Sequence, residues 1–227
     1  HISACGGIKN AVSLIRKKTS FVRKIEVETE NLDMVREALE ANVDIIMLDN
    51  MDLDMAKKAI QVMNKEHETG KPFFNHWMTV SNHRPFTYPE GKIDIPSDSK
   101  SRSGGVKYTD FALKQFFAMA EKQPWFKNTV FVIVADHCAS SSGKTELPVD
   151  KYRIPAFIYA PGFIKPQQCH TLMSQIDLMP TAMSLLNFNY TSKFFGKNVF
   201  SPLYQPRAFI ATYQDLGYIK ENHLTII

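Results

Sequence analysis

The chain has 227 residues, 44% of them hydrophobic and 22% charged, with a formal net charge of +4. That balance suits one sizeable domain or two small ones and excludes the disordered class. No apolar run reaches the roughly 18 residues a bilayer span needs, and no signal peptide is recognisable. The charge is uneven, with ten basic and ten acidic residues up to Lys65 and seventeen and thirteen after it. The later excess suits anionic substrates, but no basic cluster with interleaved aromatics marks a nucleic-acid surface, so no nucleic-acid partner is expected.

In chain order, helical spacing through Ala11, Leu14 and Ile15 follows Gly6-Gly7-Ile8. Lys24 to Glu28 then reads as a strand, Leu32 to Leu39 as a helix and Asp44 to Met51 as a second strand. Strands alternating with helices of about ten residues predict parallel βα units. Asn64 to Lys71 is polar, contains Gly70 and precedes Pro72, which predicts a boundary. Beyond it the pattern predicts a strand over Phe73 to Val80, a Ser/Gly loop over Ile93 to Gly105 and an amphipathic helix over Asp110 to Lys122. A central strand follows over Val130 to Ala135 and another over Ala156 to Tyr159. Gln175 to Leu186 reads as a helix interrupted by Pro180, and Ala208 to Tyr213 as a late strand. Cys5, Cys138 and Cys169 are odd in number and lack metal-type spacing, so no disulfide framework is expected.

The most informative segment is Phe131-Val132-Ile133-Val134-Ala135-Asp136-His137. A β-branched apolar run that ends in an acid and an imidazole reads as a buried parallel strand delivering polar groups to its carboxyl end, where open α/β sheets place their chemistry. Asp136 offers a hard oxygen and His137 a nitrogen, a pair suited to Mn²⁺, Mg²⁺ or Zn²⁺ and to phosphate or sulfate esters.

Around that pair stand Cys138-Ala139-Ser140-Ser141-Ser142-Gly143-Lys144-Thr145-Glu146-Leu147-Pro148 and Tyr152-Arg153-Ile154-Pro155, with Ser81-Asn82-His83-Arg84-Pro85-Phe86 upstream and Ser174-Gln175-Ile176-Asp177-Leu178-Met179-Pro180-Thr181 downstream. Together these resemble the C-terminal half of the lipoteichoic acid synthase and phosphoglycerol transferase group of the sulfatase and alkaline phosphatase superfamily. The resemblance covers residues 66–227. It implies that Asp136 and His137 ligate a divalent metal and that His83 contacts the phosphate-bearing substrate, a small-molecule or lipid-linked ester. The first 65 residues tell another story. Lys24-Ile25-Glu26-Val27-Glu28 and Asp44-Ile45-Ile46-Met47-Leu48-Asp49-Asn50-Met51 are similar to the central barrel of quinolinate phosphoribosyltransferase. That similarity implies Glu28 and Asp49 at the ribose hydroxyls and magnesium of phosphoribosyl pyrophosphate, with His1 at the end of a broken turn motif.

The expected fold class is therefore α/β: a partial sulfatase-like sheet sandwich over 66–227, preceded by a βα fragment of a TIM-like barrel over 1–65. Each family is present in part, since two strands cannot close a barrel and the nucleophile of the sulfatase-like family lies upstream. Thr79 and Ser81 have no activating base beside them, so no catalytic nucleophile is assigned. The expected activity is metal-dependent phosphoryl or phosphoglycerol transfer, or hydrolysis of a sulfuric or phosphoric ester. The alternatives are phosphoribosyl transfer to quinolinate and a catalytically inactive fusion. A chain that starts at His1 reads as a piece of something longer or a processed product. The first resemblance implies a membrane or periplasmic setting, with a membrane anchor in full-length relatives, and the second a cytoplasmic one.

Overall fold

The structure, a computed structural model, describes residues 2–18, 25–29, 32–43, 45–48, 53–79, 81–140, 143 and 145–227. They divide into two compact units, His1–Phe126 and Lys127–Ile227.

In the first unit Gly6 and Gly7, at φ 75° and 120°, make a turn that residues with a Cβ adopt only at a cost. It launches α1 (Ile8–Lys18), whose last turn carries Arg16, Lys17 and Lys18 beside the negative end of the helix dipole. Ile8 and Val12 of α1 pack against Ile25 and Val27 and against Ala38. Leu14 and Ile15, on the predicted apolar stripe, are instead 48% and 43% exposed. β1 (Glu26–Thr29) and β2 (Ile45–Leu48) run parallel with Val27 opposite Ile46, and α2 (Leu32–Glu40) connects them. This is the predicted βα alternation.

α3 (Leu53–Glu68) runs through most of the polar stretch predicted as a boundary. Ala56, Ala59, Ile60 and Met63, at helical spacing, are its buried stripe. It packs on α4 (Arg102–Ala120). Asn64 fastens the base of that pair, donating to Gln123 Oε1 at 3.0 Å and accepting from Trp125 Nε1 at 2.6 Å. The predicted Ser/Gly loop ends earlier than expected: Ser101 caps α4 by accepting from Gly104 N at 3.1 Å, so Gly104 and Gly105 are helical. Their lack of a side chain is a packing requirement, because a Cβ on Gly104 would meet the Tyr88 hydroxyl and one on Gly105 the Ser81 carbonyl. The predicted strand over Phe73 to Val80 is also corrected. Residues 72–79 are irregular, because no described strand lies alongside to complete a ladder.

In the second unit β3 (Phe131–Val134) pairs antiparallel with β4 (Ala156–Tyr159), Phe131 facing Tyr159 across the ladder. The reading of a buried parallel strand is therefore wrong. Phe131 is 9% exposed, but Val132 and Val134 on the other face are 41% and 37% exposed. An apolar run reports that a strand prefers burial, not the direction of its partner. Pro180 does not interrupt α5 (Leu178–Leu185), for it sits in the first turn, where its missing N–H has no intrahelical acceptor to lose. β5 (Ala208–Ala211), β6 (Leu216–Lys220) and β7 (His223–Ile226) form an antiparallel meander, of which only β5 was predicted. Leu147 packs with Ala208, Ile210 and Ile219 on its inner face.

Candidate functional site

β3 ends at Val134, and the chain turns at Asp136 and His137. Asp136 closes this turn on itself, its Oδ1 accepting from His137 N at 2.9 Å. His137 Nδ1 lies 2.7 Å from Cys138 O. A carbonyl only accepts, so Nδ1 carries the proton, and Nε2 is the ring nitrogen turned towards the Asp136 carboxylate. That atom lies 3.4 Å from Asp136 Oδ2. The structure thus brings the two predicted ligands together with an oxygen and a nitrogen on one side, both side chains largely exposed.

His83 belongs to the first unit, in the turn that leads to Phe86. Ser81 is 4% exposed, and its carbonyl occupies the space left by Gly105. Asn82 Oδ1 accepts from Thr109 of α4 at 3.2 Å. Phe86 N donates to His83 O at 2.7 Å, and His83 Nδ1 lies 2.8 Å from Arg84 O. His83 is therefore held on a framed loop with Nε2 turned away from its own backbone contact. Glu28 lies on β1. Asp49 and His1 fall outside the described residues.

The motif at 174–177 contributes more than its sequence disclosed. Asp177 is wholly buried and accepts from Ser174 N at 2.9 Å and Lys197 N at 2.8 Å. Arg207 grips it with two bonds, Nη1 to Oδ2 at 2.5 Å and Nη2 to Oδ1 at 2.7 Å, and the Tyr204 hydroxyl lies 3.1 Å from Oδ2. Burial opposes ionisation of this carboxyl, but the Arg207 guanidinium and the two backbone N–H groups outweigh it and hold the carboxyl below its usual range. Burial, and then the Asp177 charge, push the Tyr204 phenol up to about 12. Ser174 Oγ accepts from Phe209 N at 2.7 Å and so ties the turn to β5. Asp177, Arg207 and Gln175 were not among the predicted site residues. Gln175 and Asp177 stand in the Ser174–Thr181 segment that carried the resemblance, whereas no sequence signal pointed to Arg207.

Among the described residues no three His, Cys, Asp or Glu side chains converge as a metal cluster, and no helix is long and apolar enough to cross a membrane. Cys5, Cys138 and Cys169 are free thiols.

The chain is 29% identical over 136 residues to lipoteichoic acid synthase 2 of Bacillus subtilis, covering 51% of this chain and 21% of that protein. It is 33% identical over 109 residues to the probable nicotinate-nucleotide pyrophosphorylase [carboxylating] of Methanocaldococcus jannaschii, covering 47% of this chain and 38% of that protein. It thus spans well under half of either relative. A crystal structure of a protein in the alkaline phosphatase superfamily from Vibrio parahaemolyticus superposes with a TM-score of 0.75 at 26% identity, over 96% of this chain and 57% of that one. The α/β architecture accordingly follows that superfamily in part. The sequence model of the family described as Sulfatase matches residues 16–188, beginning well before residue 66, and the chain belongs to the sulfatase family.

Proposed function

We propose that this chain carries part of the metal- and ester-binding site of a phosphoryl or sulfuryl transferase or hydrolase. The carrying observation is the 3.4 Å separation of Asp136 Oδ2 and His137 Nε2. Two ligands at bond lengths of about 2.0–2.1 Å around a tetrahedral ion stand roughly 3.3 Å apart, so the pair fits two neighbouring positions on one cation. The bond from His137 Nδ1 to the Cys138 carbonyl is the outer contact that usually orients a ligating imidazole. A bound divalent ion, Mn²⁺, Mg²⁺ or Zn²⁺, would supply Lewis-acid stabilisation of charge on ester oxygens.

Asp136 and His137 hold the cation, and the Asp136 Oδ1 bond to His137 N keeps the turn closed. His83, with Nδ1 engaged by Arg84 O, meets a phosphate or sulfate oxygen through Nε2 as a donor, which the ring can do in its charged form. The substrate class is a small-molecule or lipid-linked ester, and the setting is the membrane or periplasmic side. The likeness to lipoteichoic acid synthase 2 of Bacillus subtilis supports the lipid-linked substrate class.

Two protein donors are one short of the three that catalytic zinc sites usually use. We therefore read the site in this chain as incomplete, with no nucleophile assigned. The likeness to the pyrophosphorylase, with the parallel β1–α2–β2 unit, supports a second reading: residues 1–65 descend from a phosphoribosyltransferase, with Glu28 and Asp49 on ribose and Mg²⁺.

Titrating the purified chain with Mn²⁺ while following backbone NMR signals tests the proposal. Broadening centred on residues 135–138 and absent in Asp136→Ala is expected, with no turnover of a chromogenic phosphodiester in excess Mn²⁺. Turnover lost in Asp136→Ala would overturn the incompleteness. Broadening that ignores the substitution would overturn the metal role.

A further inference from the structure

Where β3 ends, the carbonyls of Ala135 and Asp136 leave the ladder with β4. The side chain of Gln175 takes up both. Its Nε2 lies 2.8 Å from Ala135 O and 2.9 Å from Asp136 O. Two carbonyls can only accept, so the group facing them is the amino end of the amide, with one hydrogen for each. Gln, like Asn, has two donors on one nitrogen and no charge to compete with a nearby cation.

The mounting of Gln175 is as firm as its grip. It is the first residue of a 3-10 turn (Gln175–Asp177) closed by a capping box, in which Ser174 and Asp177 satisfy each other's backbone. Asp177 is buried and gripped by Arg207 with two bonds, and Ser174 Oγ is fixed to Phe209 N of β5. Gly196 presses so closely on this turn that a Cβ there would meet the Ile176 carbonyl. A rigid turn nearly 40 residues away in sequence thus ends in one amide that holds two consecutive peptide planes, and the second of them bears Asp136.

We propose that Gln175 is a positioning residue for the Asp136–His137 pair: by fixing the peptides on both sides of the Asp136 Cα it keeps Oδ2 and Nε2 on one side, ready for a single cation. The inference rests on the metal role assigned above, but its first consequence needs no metal. Without the clamp, the turn keeps the bonds of Asp136 Oδ1 to His137 N and of His137 Nδ1 to Cys138 O, and both join neighbouring residues and move with the turn.

Gln175→Met keeps length and removes both donors, and because position 175 is exposed it opens no cavity. In the metal-free chain the variant is expected to melt like wild type. Backbone order parameters at residues 136 and 137 should fall from about 0.85 towards 0.6, and the Mn²⁺ dissociation constant should rise about 10- to 100-fold, as for loss of an outer contact to a metal ligand. Unchanged order parameters together with unchanged Mn²⁺ affinity would overturn the proposal. Loss of the near-UV circular dichroism of the fold would overturn it too, by making Gln175 a folding residue. A wild-type chain that responds to Mn²⁺ no differently from Asp136→Ala overturns the metal role alone, and the metal-free order parameters then decide whether Gln175 fixes the turn.

Discussion

Replacing Arg207 with Met should be the most damaging single change in the second unit. Asp177 is 0% exposed and has five donors around it, two of them from Arg207. After the substitution a buried carboxylate keeps Ser174 N, Lys197 N and the Tyr204 hydroxyl but loses its counter-charge. Breaking a buried pair from one side costs about 3–5 kcal/mol. For a unit of about 100 residues that corresponds to a fall in melting temperature on the order of 15–30 °C. Urea unfolding followed by NMR signals of Gly196 and Gly217 reads the loss within the second unit, which contains no tryptophan. The double substitution Asp177→Leu with Arg207→Met should recover most of it, because an apolar pair leaves no uncompensated charge. The pH dependence has a definite sign. The folded carboxyl titrates below the ordinary value of 3.8, so its contribution is present above that value and is lost as pH falls through the lower folded one. Arg207→Met must flatten this acid limb. A loss under about 1 kcal/mol, the range of an exposed pair, or a double variant no more stable than the single one, would refute the reasoning.

Gly196→Ala should cost about 1–3 kcal/mol or more as overpacking, because its Cβ meets the Ile176 carbonyl; crosspeak shifts spreading to residues 135 and 136 would show that the strain passes through Gln175. Gly105→Ala drives a Cβ into the Ser81 carbonyl and should displace the His83 turn at a similar cost, read as a shift of the His83 ring signals, which must stay put if the loop is not seated on α4. Asn64→Leu removes the acceptor of Trp125 Nε1 and should destabilise the first unit by about 1–3 kcal/mol. Trp77 and Trp125 are its tryptophans, so the melt can be followed by their fluorescence, and an unchanged midpoint would show that the bond contributes nothing.

Local sequence rules account for much of this protein. The i, i+3, i+4 spacing of Ala56, Ala59, Ile60 and Met63 specifies one buried helix face, and the polar residues ahead of Leu178 specify a helix start. Periodicity and capping are properties of neighbours within about a turn, and a sequence displays them directly. The strand leading to Asp136 and His137 was legible as a short β-branched run, and β3 covers Phe131–Val134. The partner of that strand was not. Val132 and Val134 look like core in any sheet, and only tertiary pairing decided that β4 lies antiparallel beside them and leaves them exposed. Nor could a sequence say which polar groups meet across long separations. Asp177 and Arg207 are 30 residues apart, and Gln175 reaches carbonyls 39 and 40 residues away. Such contacts depend on how elements stack, and the cost of leaving a buried carboxylate unpaired appears only once burial itself is decided.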